Sequence, residues 1–427
     1  MGVNWQQVNL RDVVNINPPR QLQRGCESVY VAMEHIHPNS RSITSYSYRK
    51  FTGSGSRFRK YDTLLARITP CLENGKTAFV DFIEDNEFGH GSTEFIVLSG
   101  KEGISDNSYV YYLARLPAFR EFAISLMEGT SGRQRVPANA LRRFEFYLPP
   151  LPEQKAIAHI LGTLDDKIEL NQQMNRNLEA IAQAIFKSWF VDFAPVRAKI
   201  EGRQQAGMDS ANADLFPDSF EDSPLGEIPK GWKIKPLDRI ANFLNGLALQ
   251  KHPPIADDYL PVIKIAELRR GVTESSGRAS SNIKTEYVVE DGDILFSWSG
   301  SLEVCIWCGG RGALNQHLFK VTSADYPKWF YYQWVKYYLP NFQAIAASKA
   351  TTMGHIQRHH LAEAQVLVPP AGTLQMMDKR MTPLLNLIVS NSLESRALRA
   401  IRDTLLPKLM SGEIRVKEAE KTVEAVA

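Results

Sequence analysis

Four cysteines in 427 residues (Cys26, Cys71, Cys305 and Cys308) are too few and too scattered to form a disulfide framework. No apolar run approaches the roughly 18 residues that a membrane-spanning helix needs. The opening stretch "MGVNWQQVNLRDVV" is too polar for a secretory signal, and Gln6 stands where a myristoylation motif requires Ser or Thr. A cytoplasmic location is therefore expected. Neither sign of charge dominates, since 50 basic and 47 acidic residues leave a net +3. The total points neither toward nucleic acid nor away from it.

Enzymatic signatures are missing as well. "GSGSRFRK" (53–60) lacks the G-x-x-x-x-G-K-S/T spacing of a phosphate-binding loop. Its glycines and its Arg57, Arg59 and Lys60 suit a flexible loop that touches phosphates. "NPPR" (17–20) resembles the catalytic loop of an adenine methyltransferase only in part. Arg20 stands where an aromatic ring is needed to stack on an extruded base, and no glycine-rich cofactor turn precedes it. It reads as a turn.

What the chain does have is itself, twice. Pro149-Pro150 recurs as Pro369-Pro370, a shift of 220 residues, and the same shift carries Tyr111-Tyr112 onto Tyr331-Tyr332 and Phe122 onto Phe342. Downstream it carries Ile157, Leu161, Leu164 and Ile168 onto Met377, Met381, Leu384 and Ile388. With small adjustments "YDTLLA" (61–66) matches "GDILFS" (292–297), and "STEFIV" (92–97) matches "NQHLFK" (315–320). The period is far too long for a solenoid, so these are two domain-sized copies.

Each copy opens with short alternating strands and Gly/Ser/Asn turns, followed by one aromatic helix, around 107–127 and 326–347. The Pro-Pro stop then precedes a long helix, about 153–190 and 373–410. Proline suits a first helical turn, where its missing N–H had no partner. Apolar residues at 157, 161, 164, 168, 178, 181 and 185, and again at 377, 381, 384, 388, 398, 401 and 405, step mostly by three and four. That is a coiled-coil seam, and the nearest partner for each helix is the other copy. Ile168 and Ile388 lie on it, as do Asn171 and Asn391. Each asparagine either fixes the pairing register or sits at the wet edge of the seam, and the spacing leaves both readings open.

The resulting fold class is α+β, two mixed α/β domains in tandem joined by two long paired helices. Its segments are a first domain over 1–150, a helix over 151–192, a connector over 193–230, a second domain over 231–370, a helix over 371–412 and a frayed tail over 413–427.

Charge is distributed less evenly than its sum implies. Between His35 and Tyr61 there is no acidic residue, while Arg41, Arg49, Lys50, Arg57, Arg59 and Lys60 alternate with Tyr46, Tyr48, Phe51 and Phe58. Between Tyr326 and Ala362 acids are again absent. Such stretches suit a phosphate backbone, although a solvated basic face has the same composition.

Two metal patterns are weak. Cys305 and Cys308 form a lone C-x-x-C in "VCIWCGG", which reads as a strand. His355 and His359 are four apart, but their counterpart in copy one, "QRVPANA" (134–140), has no histidine. No bound metal is expected.

These features resemble the specificity subunit of type I restriction–modification enzymes. The likeness rests on "LPPLPEQKAIA" (148–158), on "GTLDDKIELNQQMNRNLEAIAQAIFKSWFVDF" (162–193), on "LRAIRDTLLPKLMSGEI" (398–414), and on "GALNQHLF" (312–319) and "TTMGHI" (351–356). It covers nearly the whole chain. It implies two target-recognition domains, each reading half of a bipartite, asymmetric duplex site, held apart by an antiparallel coiled coil. It also implies that the chain has no catalysis of its own. Two modification subunits would transfer methyl groups from S-adenosylmethionine to adenine, and restriction subunits would translocate and cleave DNA with ATP and Mg.

Arg and Lys read guanine, and Asn and Gln read adenine. Candidate DNA contacts in copy one are Arg133, Gln134 and Arg135, with Lys76, Arg57, Arg59 and Lys60 on phosphates. In copy two they are Lys349, Thr351, Thr352 and His355, with Asn315 and Gln316. A competing reading makes these recurring segments framework and puts specificity in the loops 20–50 and 246–285. A coiled-coil scaffold that assembles proteins without reading DNA is the alternative function.

Overall fold

The computed structural model describes residues 5–130, 132–203, 208, 210–255, 257–348 and 354–424. They form two compact units. The first takes residues up to Asn171 together with those from Ser395 onward, and the second takes Gln172–Glu394.

In the first unit, one four-stranded antiparallel sheet runs in the order Val14–Ile16, Phe95–Gly100, Thr63–Ala66, Thr77–Phe79. A second sheet runs Ser47–Lys50, Glu27–Val31, Phe88–Gly91, Ser56–Arg59, and only its middle pair is parallel. Gln6–Asn9 pairs with Glu145–Leu148. The second unit repeats this topology strand for strand. Its sheets run Asn242–Asn245, Leu318–Thr322, Ile294–Ser297, Val304–Ile306 and Arg278–Ser280, Tyr259–Ile263, Gly312–Leu314, Val288–Val289, with Lys233–Pro236 on Gln365–Val368. The one parallel pair recurs at the same place. The central strands Thr63–Ala66 and Ile294–Ser297 are buried at every position, as expected where both faces are covered.

The long helices span Leu151–Phe190 and Ala371–Ser411. Each begins directly after its Pro-Pro pair. In the first unit the side chain of Gln154, fully buried, ties the helix start to the globular part. It accepts from the backbone N–H of Asp106 and donates to the carbonyls of Ile104 and Pro149.

Several expectations need correction. The aromatic helix of copy one is two helices, Asn107–Arg115 and Pro117–Ser125, broken at Leu116, whose non-helical ψ of 130° is the conformation favoured before a proline. Copy two has Tyr337 at that place, and Lys328–Ser348 is continuous. "SRFR" (56–59) is a strand, not a flexible loop. Phe58 is fully buried while Arg57 and Arg59 face outward, the two-residue period of a half-buried strand. Beyond what its composition shows, the described part of the connector carries a helix, Ala194–Ile200, and buries Phe216 and Ile228 in the core of the second unit. The tail is not frayed over Val416–Glu424. It is a helix whose Ala419 and Val423 enter the first unit's core, four residues apart on one face.

Candidate nucleic-acid interface and helix pairing

The basic residues of copy one meet different fates. Arg57 and Arg59 project from the same face of their strand, and both are exposed. Nη1 of Arg57 donates to the Arg20 carbonyl, and its guanidinium lies over Phe51 at 5.1 Å. Lys60 pairs with Asp85 at 3.0 Å, and Nζ of Lys76 donates to the Met33 carbonyl at 2.8 Å. Arg135 forms a fork with Glu94, with contacts of 2.7–3.0 Å. Its charge is therefore satisfied within the protein. Arg133 is exposed, and Gln134 is held through its backbone, which exchanges hydrogen bonds with Thr69.

A cavity of about 410 Å³ in the first unit is lined by Asn17, Arg20, Arg57, Arg67, Thr93 and neighbouring apolar groups. Arg20 is neutralised there by Asp62, at 2.8 Å. Burial raises the Asp62 carboxyl above its ordinary range, and hydrogen bonds from the Arg59 backbone and from Arg20 pull it back. Arg57 and Arg67 have no carboxylate partner among the described residues, and Nε of Arg67 is buried without a hydrogen-bond acceptor. Sequence reasoning missed Arg67, since "LLARIT" shows only a strand end. In the second unit a similar cavity of about 410 Å³ is lined by Arg269, but Glu303 pairs with that arginine.

In copy two, Lys349, Thr351 and Thr352 lie outside the described residues. Asn315 is buried, and its Oδ1 accepts from the backbone N–H of His317, a framework role. Gln316 lies beside His317, with 3.3 Å between their side-chain nitrogens. His355 bridges to Ser299, with its ring 6.4 Å from that of Trp298. It shares no helix with His359, because the helix Arg358–Glu363 starts only after Gln357. The ligand atoms that come together are instead those of His359, His360 and Glu363, within 4.8 Å of one another. Cys305 lies on the edge strand Val304–Ile306, and burial pushes its thiol up to about 12, away from the thiolate that metal binding requires.

Each unit contains a stretch of both long helices. In the first, Ile157, Leu161, Leu164 and Ile168 share a core with Leu398, Leu405 and Leu409. Glu153 meets Arg415 and Asp165 meets Arg402, so the two segments run antiparallel. The buried Asp165 accepts from Nη1 of Arg402 at 2.5 Å and from the Tyr112 hydroxyl at 2.8 Å. In the second unit Nδ2 of Asn391 donates to Oδ1 of Asn175 at 2.9 Å, and Nδ2 of Asn175 donates to the Ile388 carbonyl and to Oγ of Ser392. Asn171 and Asn391 are both buried, so neither sits at a wet edge. Past Asn171 the buried line runs through Ala182, Phe186 and Trp189, and Ile181 is 48% exposed. The large rings take the inner face, and the expected position at 181 turns outward.

A family model described as the type I restriction modification DNA specificity domain matches residues 2–180 and again 229–395. The HindI specificity subunit of a type I restriction enzyme from Haemophilus influenzae is 26% identical over 404 residues, covering 83% of this chain and 87% of that one. The MjaIX specificity subunit from Methanocaldococcus jannaschii is 28% identical over 335 residues, covering 74% and 71%. Among solved structures, the type I restriction–modification S subunit from M. genitalium aligns over 96% of both chains, with 16% identity and a TM-score of 0.49.

Proposed function

This chain belongs to the type I restriction–modification DNA specificity family, and from that premise we propose that each of its copies reads one half of a bipartite, asymmetric DNA site. The duplication carries this reading. One strand topology occurs twice, each time with a stretch of the same two helices. At 40 and 41 residues those helices are each about 60 Å long. They act as a spacer that fixes the number of unread base pairs. Linking two weak half-site contacts through a fixed spacer raises the effective concentration of the second contact once the first has formed. Discrimination then accumulates at about 1–3 kcal/mol per mismatched base pair.

Catalysis belongs to partners. Two modification subunits supply methyl transfer from S-adenosylmethionine to adenine, and restriction subunits supply ATP-driven translocation and Mg-dependent cleavage. The complex works in the cytoplasm. No helix among the described residues is long and apolar enough to cross a membrane. The test is to measure methyl incorporation into DNA by the chain alone, by the modification subunit alone, and by both together. Only the combination should methylate, at a two-part sequence. Incorporation by the lone chain would overturn the proposal, and a DNA affinity of the complex that ignores salt would favour the scaffold alternative.

A further inference from the structure

A row of aromatic and guanidinium groups in contact crosses one face of the second sheet of the first unit. The register pairs Arg49 with Ser28, Tyr30 with His90, and His90 with Arg57. By the two-residue period of a strand, these five side chains share a face. Cζ of Arg49 lies 4.1 Å from the centre of the Tyr30 ring, the shortest cation–ring contact among the described residues. Tyr30 lies 5.1 Å from His90, and His90 lies 5.3 Å from Phe51. Arg57 closes the row over Phe51. His90 and Phe51 are buried beneath, and Oγ of Ser28 pins Nδ1 of His90 at 3.0 Å.

We propose that Arg49, seated over the Tyr30 ring, determines specificity in the first unit by reading a guanine in the major groove. The proposal rests on the DNA-reading function above and assigns one residue within it. Three observations carry it. First, Arg49 is exposed and makes no ion pair among the described residues, whereas Arg20, Lys60 and Arg135 use their charge on Asp62, Asp85 and Glu94. Second, the guanidinium rests over the ring and donates no hydrogen bond to another described residue. Two parallel N–H groups of an arginine match O6 and N7 of guanine, and a side chain already seated on a ring loses less freedom on binding. Arg57 differs, because one of its N–H groups is already bonded to the Arg20 carbonyl. Third, Ser47–Lys50 is the edge strand of its four-stranded sheet, paired on one side only, with Glu27–Val31. An edge strand leaves its other side uncovered for a partner molecule.

The experiment uses the full chain with its partner subunits. Genomic methylation is mapped in cells carrying the wild type, R49A, R49K, Y30F or Y30L. The purified complexes are then bound to duplexes altered one base pair at a time in each half-site. R49A should reduce the preference for one G·C pair in one half by at least ten-fold and leave the other half unchanged. R49K should not restore it, because lysine lacks the fork. Y30F should retain the preference, and Y30L should lose part of it. Equal weakening on every duplex, with a shallower salt dependence, would make Arg49 a phosphate contact and overturn the proposal. So would an unaltered preference. A wild-type complex without a two-part site would instead sink the broader function, and the Arg49 assignment with it.

Discussion

Oδ1 of Asp165 lies 2.5 Å from Nη1 of Arg402, a residue 237 positions further along the chain, and both side chains are sealed from solvent. The 220-residue repeat places Leu385 and Ala182 at the corresponding positions of the other copy, and both are buried. One copy thus holds with an ion pair a place that the other fills with apolar groups. Removing Arg402 strands the buried charge of Asp165, and removing Asp165 leaves the buried Arg402 with Asp403 alone, at 2.7 Å. Asp165→Asn or Arg402→Met should each destabilise the first unit by about 3–5 kcal/mol, and Asp165→Leu combined with Arg402→Met should recover most of the loss. Urea unfolding of the full chain, followed with a probe in each unit, measures both effects.

His90 supplies a pH dependence. Burial, and after it the charge of Arg49, lowers its pKa below the ordinary value of about 6.5. The unfolded chain therefore takes up the proton first as pH falls. The stability that His90 contributes is complete above pH ~6.5 and is lost as pH drops from there through the folded-state value. His90→Gln should flatten that part of the stability–pH curve, measured as the urea midpoint between pH ~5 and ~7. A slope unchanged in the variant would assign the effect to another group.

Arg57 and Arg67 line one cavity without carboxylate partners among the described residues. If both meet the DNA backbone, each contact contributes about 0.9 to the slope of log affinity against log salt. Arg57→Ala with Arg67→Ala should lower the slope for the assembled complex by about 1.8, equally for matched and mismatched duplexes. Filter binding across a salt series decides it.

The spacer role predicts a change of geometry without a change of sequence preference. Seven residues inserted after Gln173 and seven more after Leu393 would lengthen both helices by about 10 Å, or roughly three base pairs of unread DNA. Mapping methylated sites should show a longer gap between unchanged half-sites. Altered half-sites would refute the spacer.

The architecture was legible because duplication compares a sequence with itself. Tyr111-Tyr112 and Tyr331-Tyr332 recur 220 apart, and all four are buried. The long helices start where proline ends the preceding strand. Long-range pairing was not legible. Nothing in "GRQRV" shows that Arg135 closes on Glu94, 41 residues away. Asp165 lies beside the apolar stripe and reads as a wet flank until Arg402 and Tyr112 are seen around it. Ile181 fits the spacing of the seam, yet Ala182 and Phe186 take the inside because packing of large rings outweighs a heptad count. Arg49 was visible only as one charge in a basic stretch. Its distinguishing property is the ring beneath it, which comes from strand register.

The interleaving of the two units also sets an order of events on the ribosome. The second unit is a single continuous stretch, Gln172–Glu394, whereas the first is completed only by residues from Ser395 onward. As the chain emerges, Leu161, Leu164 and Ile168 stay uncovered until Leu398, Leu405 and Ala419 arrive to complete their core. A message cut short near codon 395 would yield a finished second unit attached to an open first one, an exposed apolar surface that quality-control proteases can recognise.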